Sequence, residues 1–190
     1  MKNKKVLITT QAAAIAAIYI VLTYLANAFG LANYAVQVRF SEALTILPYF
    51  TPVAIPGLFI GCLLSNLLTG CMPLDVIFGS LATLIGAIGT YLLRRLSDRL
   101  QTNRSTDTVN AKQKSGHTVT TLIKLLTPLP PIIANTLIIP YILSYVYHFE
   151  GSIPYFMLTV GIGEIISCGL LGLILLFSIQ KYEHIIFSKS

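Results

Sequence analysis

Val36–Asn66 reads VQVRFSEALTILPYFTPVAIPGLFIGCLLSN, and the order of residue types within it decides the fold. Gln37, Arg39, Ser41 and Glu42 crowd the mouth of an apolar run. The run breaks at Pro48, Pro52 and Pro56 and resumes as a second apolar run. Proline lacks a backbone N–H and restricts the residue before it, so each proline marks a boundary or a kink. A charged entrance leading into two short, proline-broken hydrophobic segments is the pattern of a membrane protein that holds something polar.

Composition agrees. The chain has 190 residues, of which 55% are hydrophobic and 11% charged, and its mean hydropathy is +0.77. A soluble domain carries roughly a quarter charged residues. The deficit places the chain among all-α, multi-pass membrane proteins. Cys62, Cys71 and Cys168 lie in or beside apolar segments without metal-ligand spacing and read as small packing residues, so no metal and no cofactor is expected.

Outward from the central stretch, the apolar segments number six. Val6–Phe29 is long enough to span, since about 20 residues cross the hydrocarbon. Ala26-Asn27-Ala28 resembles a signal cleavage site, but the run exceeds a signal core and further spans follow. Ser41–Thr51 and Ile55–Thr69 form short second and third helices. Asp75 to about Leu96 is a fourth, expected to run on past the membrane, Thr118–Tyr147 a proline-rich fifth and Ile153–Gln180 a sixth. Residues 97–117 are polar and read as a flexible cytoplasmic loop within a single six-helix domain, 1–190.

Charge sets the orientation. With six transmembrane helices and both termini cytoplasmic, every Lys and Arg except Arg39 falls on the inner side. The positive-inside rule expects that bias. The net charge of +6 therefore reports topology and not a nucleic-acid partner.

Glu42, Asp75 and Glu150 fall on the outer side, and Glu164 differs from them. At a rise of about 1.5 Å per residue it lies roughly 16 Å beyond Ile153, near the middle of a core about 30 Å thick. Asn135 lies roughly 18 Å before Tyr147 by the same rise. Two polar groups on neighbouring helices thus reach one depth. An acid there is rare unless it meets a cavity or a partner, so Glu164 is read as a ligand contact, against the alternative of a protonated acid bonded between helices. Asn135 is read equally as ligand contact or interhelical glue. Arg39 and Glu42 are candidates, with pairing at a helix start as the alternative. Asp75 is a candidate against a favourable place in a helix first turn. Gln37 completes the polar mouth. Tyr141 sits toward the outer interface, where an aromatic belt competes with stacking on a flat ligand. Gly57 and Gly61 form a GxxxG pair, and Ala12/Ala16 with Ala13/Ala17 form two interleaved small-residue pairs suited to close helix approach. Nucleophile-elbow, zincin and phosphate-loop motifs are absent from the sequence, so the chain is not expected to be an enzyme, and uphill transport needs an ion gradient or a separate ATPase.

VRFSEALTILPYFTPVAIPGLFIGCLLSN, followed by DVIFGSLATLIGA at Asp75–Ala87, resembles the QueT family of queuosine-precursor transporters. These are substrate-binding S components of energy-coupling factor (ECF) transporters. The resemblance implies an S-component-like six-helix bundle in the cell membrane, surrounded by lipid. It implies a small deazaguanine base taken from outside under a lid after the first helix. It also implies partners: a transmembrane coupling subunit and two cytosolic ATPases, with Ala12, Ala13, Ala16 and Ala17 as the docking face. In that frame Glu164 accepts the N–H edge of the base, Asn135 reads the neighbouring carbonyl, and Glu42 or Asp75 meets an aminomethyl cation. Two other readings stand beside it. One is an S component or small secondary transporter for another vitamin-like or purine-like solute. The other is a membrane protein without a transport role.

Overall fold

The computed structural model describes residues 2–31, 38–105 and 121–182. Among them the regular structure is entirely helical. In chain order the elements are α1 (Lys2–Ala28), a 3-10 helix (Phe40–Tyr49), α2 (Ala54–Leu68), α3 (Pro73–Ser105), α4 (Leu129–Tyr145) and a long helix, α5 (Ile153–Gln180). A π-helical stretch, Ile165–Leu171, interrupts α5 immediately after Glu164. A further turn of helix at 121–125 leads into α4.

Four segments are long and apolar enough to cross a membrane: Lys4–Ala28, Pro73–Leu100, Thr121–Tyr145 and Ile153–Gln180. The two segments between the first and second of these are shorter. The ten-residue 3-10 helix is about 20 Å long at a rise of about 2.0 Å per residue, and α2 reaches about 22 Å. Both fall short of a core about 30 Å thick. The expectation of six equivalent transmembrane helices therefore becomes six helical elements, four of spanning length, among the described residues.

Proline explains the second element. Pro48 lies inside it and cannot donate, and its ring would clash with the carbonyl four residues back in an α-helix. The backbone takes i to i−3 bonds instead, Glu42 N to Arg39 O at 3.1 Å and Phe50 N to Leu47 O at 2.9 Å. Runs of this geometry longer than three or four residues are uncommon in isolation. Here the surroundings hold it: every residue from Ser41 to Tyr49 is buried, against α1, α2, α3 and α5. Ile46, Leu44 and Leu47 join Tyr19, Leu58, Ala87 and Leu176 in the main apolar core. At its far end Tyr49 lies under the Arg94 guanidinium, 5.0 Å from the ring centroid.

Turn chemistry defines the other ends. Gly70, at φ +76°, follows α2, with Cys71 N donating to Asn66 O at 3.0 Å, and Pro73 begins α3 two residues after Cys71. Ser152 caps α5 by accepting from Tyr155 N. Pro130 and Pro131 stand in the first turn of α4, where a missing N–H costs little.

Glycine seams bring the helices together. A Cβ at Gly57 would lie 2.8 Å from Ala12 O, and one at Gly61 would lie 3.0 Å from Ala16 Cα, so α1 and α2 pack nearly backbone to backbone. A Cβ at Gly86 would lie 2.6 Å from Pro131 Cα, so α3 and α4 do the same. This corrects the expectation for the alanines. Ala16 is buried in the internal seam and Ala12 borders it, while Ala13 and Ala17 remain exposed. α1 is also the least embedded of the four spans, with 17% of its apolar window buried against 39% to 44% for the others.

The first part of the loop expected at 97–117 is helical. α3 continues to Ser105, supported by the Arg94–Asp98 ion pair at 3.0 Å one turn apart and by good helix formers. Residues 106–117 lie outside the described residues.

Gly86→Ala is expected to destabilise the bundle by about 1 to 3 kcal/mol through overpacking against Pro131. Gly169→Ala, whose Cβ would meet its nearest neighbour at 3.7 Å, is expected to be neutral or stabilising. Thermal unfolding of both variants in detergent checks this, and equal melting temperatures contradict the seam.

Candidate functional site

The first turn of the 3-10 helix carries Ser41 and Glu42 into the bundle interior, where water cannot complete their hydrogen bonds. Protein groups must do so. α1 supplies two of them. Tyr19 donates its hydroxyl to Glu42 Oε1, and Thr23 Oγ1 donates to Ser41 Oγ at 2.9 Å. α3 supplies Thr83, whose hydroxyl reaches Glu42 Oε1 at 3.5 Å and Cys62 Sγ at 3.3 Å. Glu42 is 1% exposed, and its second oxygen, Oε2, has no hydrogen-bond partner.

α5 meets this cluster from the opposite side. Glu164 is 6% exposed, and its Oε2 accepts from the Cys168 thiol at 3.1 Å. The π-helical stretch begins at the residue after Glu164 and contains Ser167 and Cys168, both buried. Its wider turn directs them at the 3-10 helix: Arg39 N donates to Ser167 Oγ at 3.1 Å, and Cys168 Sγ lies 3.5 Å from both Thr45 Oγ1 and Glu42 O. Single π turns inside α-helices are frequent at functional sites. The carboxylates of Glu42 and Glu164 and the Cys168 sulfur offer ligand atoms within 4.8 Å of one another. Asn135, buried on α4, presents its side-chain amide beside both carboxylates.

A second layer lies toward the α2–α3 turn. Asp75 Oδ2 accepts from Tyr147 OH at 2.8 Å, and the same hydroxyl accepts from Met72 N at 3.1 Å. Partial burial, and then the adjacent Asp75 carboxylate, push the Tyr147 phenol above its ordinary range and keep it a donor. Asp75 Oδ1 is buried without a partner. Gly79 leaves open the space where Asn66 Nδ2 and this oxygen converge, 3.1 and 3.4 Å from where its Cβ would stand. Arg39, half-buried, feels Asp75 as its strongest opposite charge and lies within the field of Glu42 and Glu164 as well.

Five of the sequence candidates therefore converge: Arg39, Glu42, Asp75, Asn135 and Glu164. Tyr141 does not join them. It is 46% exposed on the outside of α4 and stacks on Tyr145 with ring centroids 6.4 Å apart, as a belt residue does. Gln37 lies outside the described residues. Sequence reasoning missed Tyr19, Thr83, Cys168 and Tyr147. Tyr19 carried a usable signal: it lies about 21 Å beyond Lys5 along α1, too deep for an interfacial tyrosine. Cys168 follows Glu164 by four residues, which places the two on one helix face.

Comparison with known proteins adds to the geometry. A family profile described as "QueT transporter" matches residues 9–181. A protein of Lactococcus lactis subsp. cremoris (strain MG1363), named "Queuosine precursor transporter QueT", is 32% identical over 99 residues. That match covers 52% of this chain and 58% of the relative's length. No solved structure matches the chain.

Tyr19→Phe removes the principal donor to Glu42 Oε1 and leaves that oxygen with Thr83 alone at 3.5 Å. A loss of about 1 to 3 kcal/mol is expected, the cost of stranding a buried acceptor. Tyr91→Phe, at a half-buried tyrosine whose hydroxyl accepts from Arg95 Nε in a solvent-exposed hydrogen bond, serves as the comparison and is expected to be near neutral. Identical thermal unfolding of both variants contradicts the assigned role of Tyr19.

Proposed function

The chain belongs to the QueT transporter family, and we propose from that premise that it is the substrate-binding membrane subunit of an ECF-type importer for a deazaguanine queuosine precursor. The observation that carries this reading is the meeting of Glu42, Glu164 and Asn135 inside a bundle of apolar helices. Family membership alone gives transport. The polar cluster supports a cargo rich in hydrogen-bonding nitrogen.

A guanine-like edge presents adjacent N–H donors and a carbonyl. A carboxylate accepts the donors in bidentate fashion, and an amide answers the carbonyl. Glu164 is assigned the first role and Asn135 the second. Glu42 holds one oxygen on Tyr19 and keeps Oε2 for the guest. Asp75, with its own unpartnered oxygen, and Arg39 serve the outer layer. The excess of acids over the single guanidinium favours a base bearing an amine over a neutral one.

The importer reading assigns ATP hydrolysis to separate cytosolic subunits and coupling to a transmembrane partner. The exposed Ala13/Ala17 stripe on α1, the least embedded span, is the surface offered to that partner. Lys and Arg cluster at the segment ends that this topology places in the cytoplasm, which supports inner termini and residence in the cell membrane.

Purified chain in detergent, melted with a panel of purine-like and deazaguanine bases, tests the proposal. Stabilisation is expected from deazaguanines and not from unrelated vitamins, and none by any deazaguanine defeats the substrate assignment. Glu164→Gln and Asn135→Ala are expected to weaken binding by roughly tenfold or more each, as loss of a buried polar contact costs about 1 to 3 kcal/mol. Uptake that persists without ATPase subunits points instead to a secondary transporter for a related solute.

A further inference from the structure

We propose that Glu42, Glu164 and Cys168 form a binding site for one divalent transition-metal ion, with a fourth coordination position left for an exchangeable ligand. The ion would draw on the same Glu42 and Glu164 carboxylates that the proposed function offers to a base, so ion and base are alternative occupants of those oxygens, each tested in the absence of the other.

Three observations carry it. The donor atoms of the three residues lie within 4.8 Å of one another, and all three residues are buried. Glu164 and Cys168 stand four apart on one helix, the spacing that sets two ligands on one face, and the third ligand comes from the 3-10 helix 126 residues from Cys168. The cluster also contains an underused oxygen: Glu42 Oε2 is buried and without a hydrogen bond, with the Asn135 amide beside the carboxylate, while its Oε1 is already committed to Tyr19 and Thr83. An unpartnered carboxylate oxygen in a dry interior is costly unless a cation meets it.

Charge and softness then specify the guest. With Cys168 as a thiolate the three ligands carry three negative charges; a divalent ion offsets two of them, and the Arg39 guanidinium, which feels both glutamates as well as Asp75, faces the third. A sulfur with two carboxylate oxygens is a borderline-soft donor set, suited to zinc or cobalt and poor for magnesium or calcium, which take oxygen alone. Zinc holds sulfur at about 2.3 Å and carboxylate oxygen at about 2.0 to 2.2 Å, so the three side chains must draw in by roughly an ångström. Binding is a proton exchange without redox: the thiol bond from Cys168 to Glu164 breaks, sulfur bonds the metal, and the thiol proton leaves to solvent. Three protein ligands leave one tetrahedral position open. Tyr19, donating to Glu42, orients that ligand.

Cobalt is the probe, because a thiolate bound to it gives a near-ultraviolet charge-transfer band. The full chain in detergent, titrated with cobalt chloride, is expected to bind one ion per chain and to develop that band, and zinc chloride is expected to displace it. Cys168→Ser is expected to abolish the band, and Cys71→Ser to preserve it. Glu42→Gln is expected to weaken cobalt binding by roughly tenfold or more, since even outer-shell changes cost that much. If Glu42→Gln does not fold, Cys168→Ser with the Cys71→Ser control decides alone. Absence of the band in the folded wild-type chain, or a band that survives Cys168→Ser, overturns the proposal. No base is present in the titration, so failure here leaves the substrate reading untouched, and a missing melt response to bases leaves the metal site untouched.

Discussion

A carboxylate carried into the interior of an apolar bundle must be satisfied there, and the arrangement of this protein follows from satisfying Glu42. The 3-10 helix delivers it, because proline at position 48 and burial on every side force a tight, fully enclosed segment in place of a membrane-spanning α-helix. Once enclosed, Glu42 demands donors. Tyr19 comes from α1 and Thr83 from α3, so two helices distant in sequence are tied to one oxygen. The other oxygen has no hydrogen-bond partner, and the carboxylate lies beside Glu164 and Cys168. A wholly apolar segment would fill the same space with better packing. The retained acid is explained by what it does and not by the stability it gives.

Close helix approach makes the enclosure possible. Lipid offers no hydrophobic reward for bringing helices together, so contact area and close packing must supply the attraction. Gly57 and Gly61 let α2 lie on α1, and Gly86 and Gly89 let α3 lie on the prolines that open α4. Gly172 admits Ile46 of the 3-10 helix against α5. The seams surround the polar cluster and sit on the same elements that supply it. Packing of the wall and position of the buried polar side chains are therefore one problem with one solution.

Much of this was legible in the sequence, and the parts that were not share a cause. Helical class, the span Ile153–Gln180, and the shared depth of Asn135 and Glu164 follow from hydropathy and a fixed rise per residue, both local quantities. Proline punctuation located the second element but not its 3-10 form, which depends on being enclosed by four other elements. That the fourth helix runs on past the hydrocarbon was legible, but its end at Ser105 was hidden by polar composition, because a helix beyond the hydrocarbon needs no apolar face. Tyr19, Thr83 and Tyr147 are ordinary residues of their helices until the chain folds, and only their distance to an acid elsewhere gives them a role. The alanine pairs show the same limit: spacing announced a close-packing face, and tertiary contacts alone divided it into a buried seam with Gly57 and Gly61 and an exposed stripe at Ala13 and Ala17.

That division bears on how a binding event is felt at the surface. α1 is the span least held by apolar packing, yet it contributes two hydrogen bonds to the first turn of the 3-10 helix, Tyr19 to Glu42 and Thr23 to Ser41. Three of those four residues are 1% exposed or less, and Thr23 is 4% exposed. A shift of α1 must either carry Glu42 with it or break both bonds in a medium where neither partner finds water. Conversely, a guest that draws on Glu42 redistributes the hydrogen bond that Tyr19 gives. The exposed alanine stripe begins within one turn of Tyr19 on the same rigid helix, so the outer face of α1 and the interior acid are linked through a single turn of backbone. Coupling of that kind requires no long pathway through the protein. It needs a helix with one face exposed and the other tied to the site, and α1, seated on α2 through the glycine seam, has both.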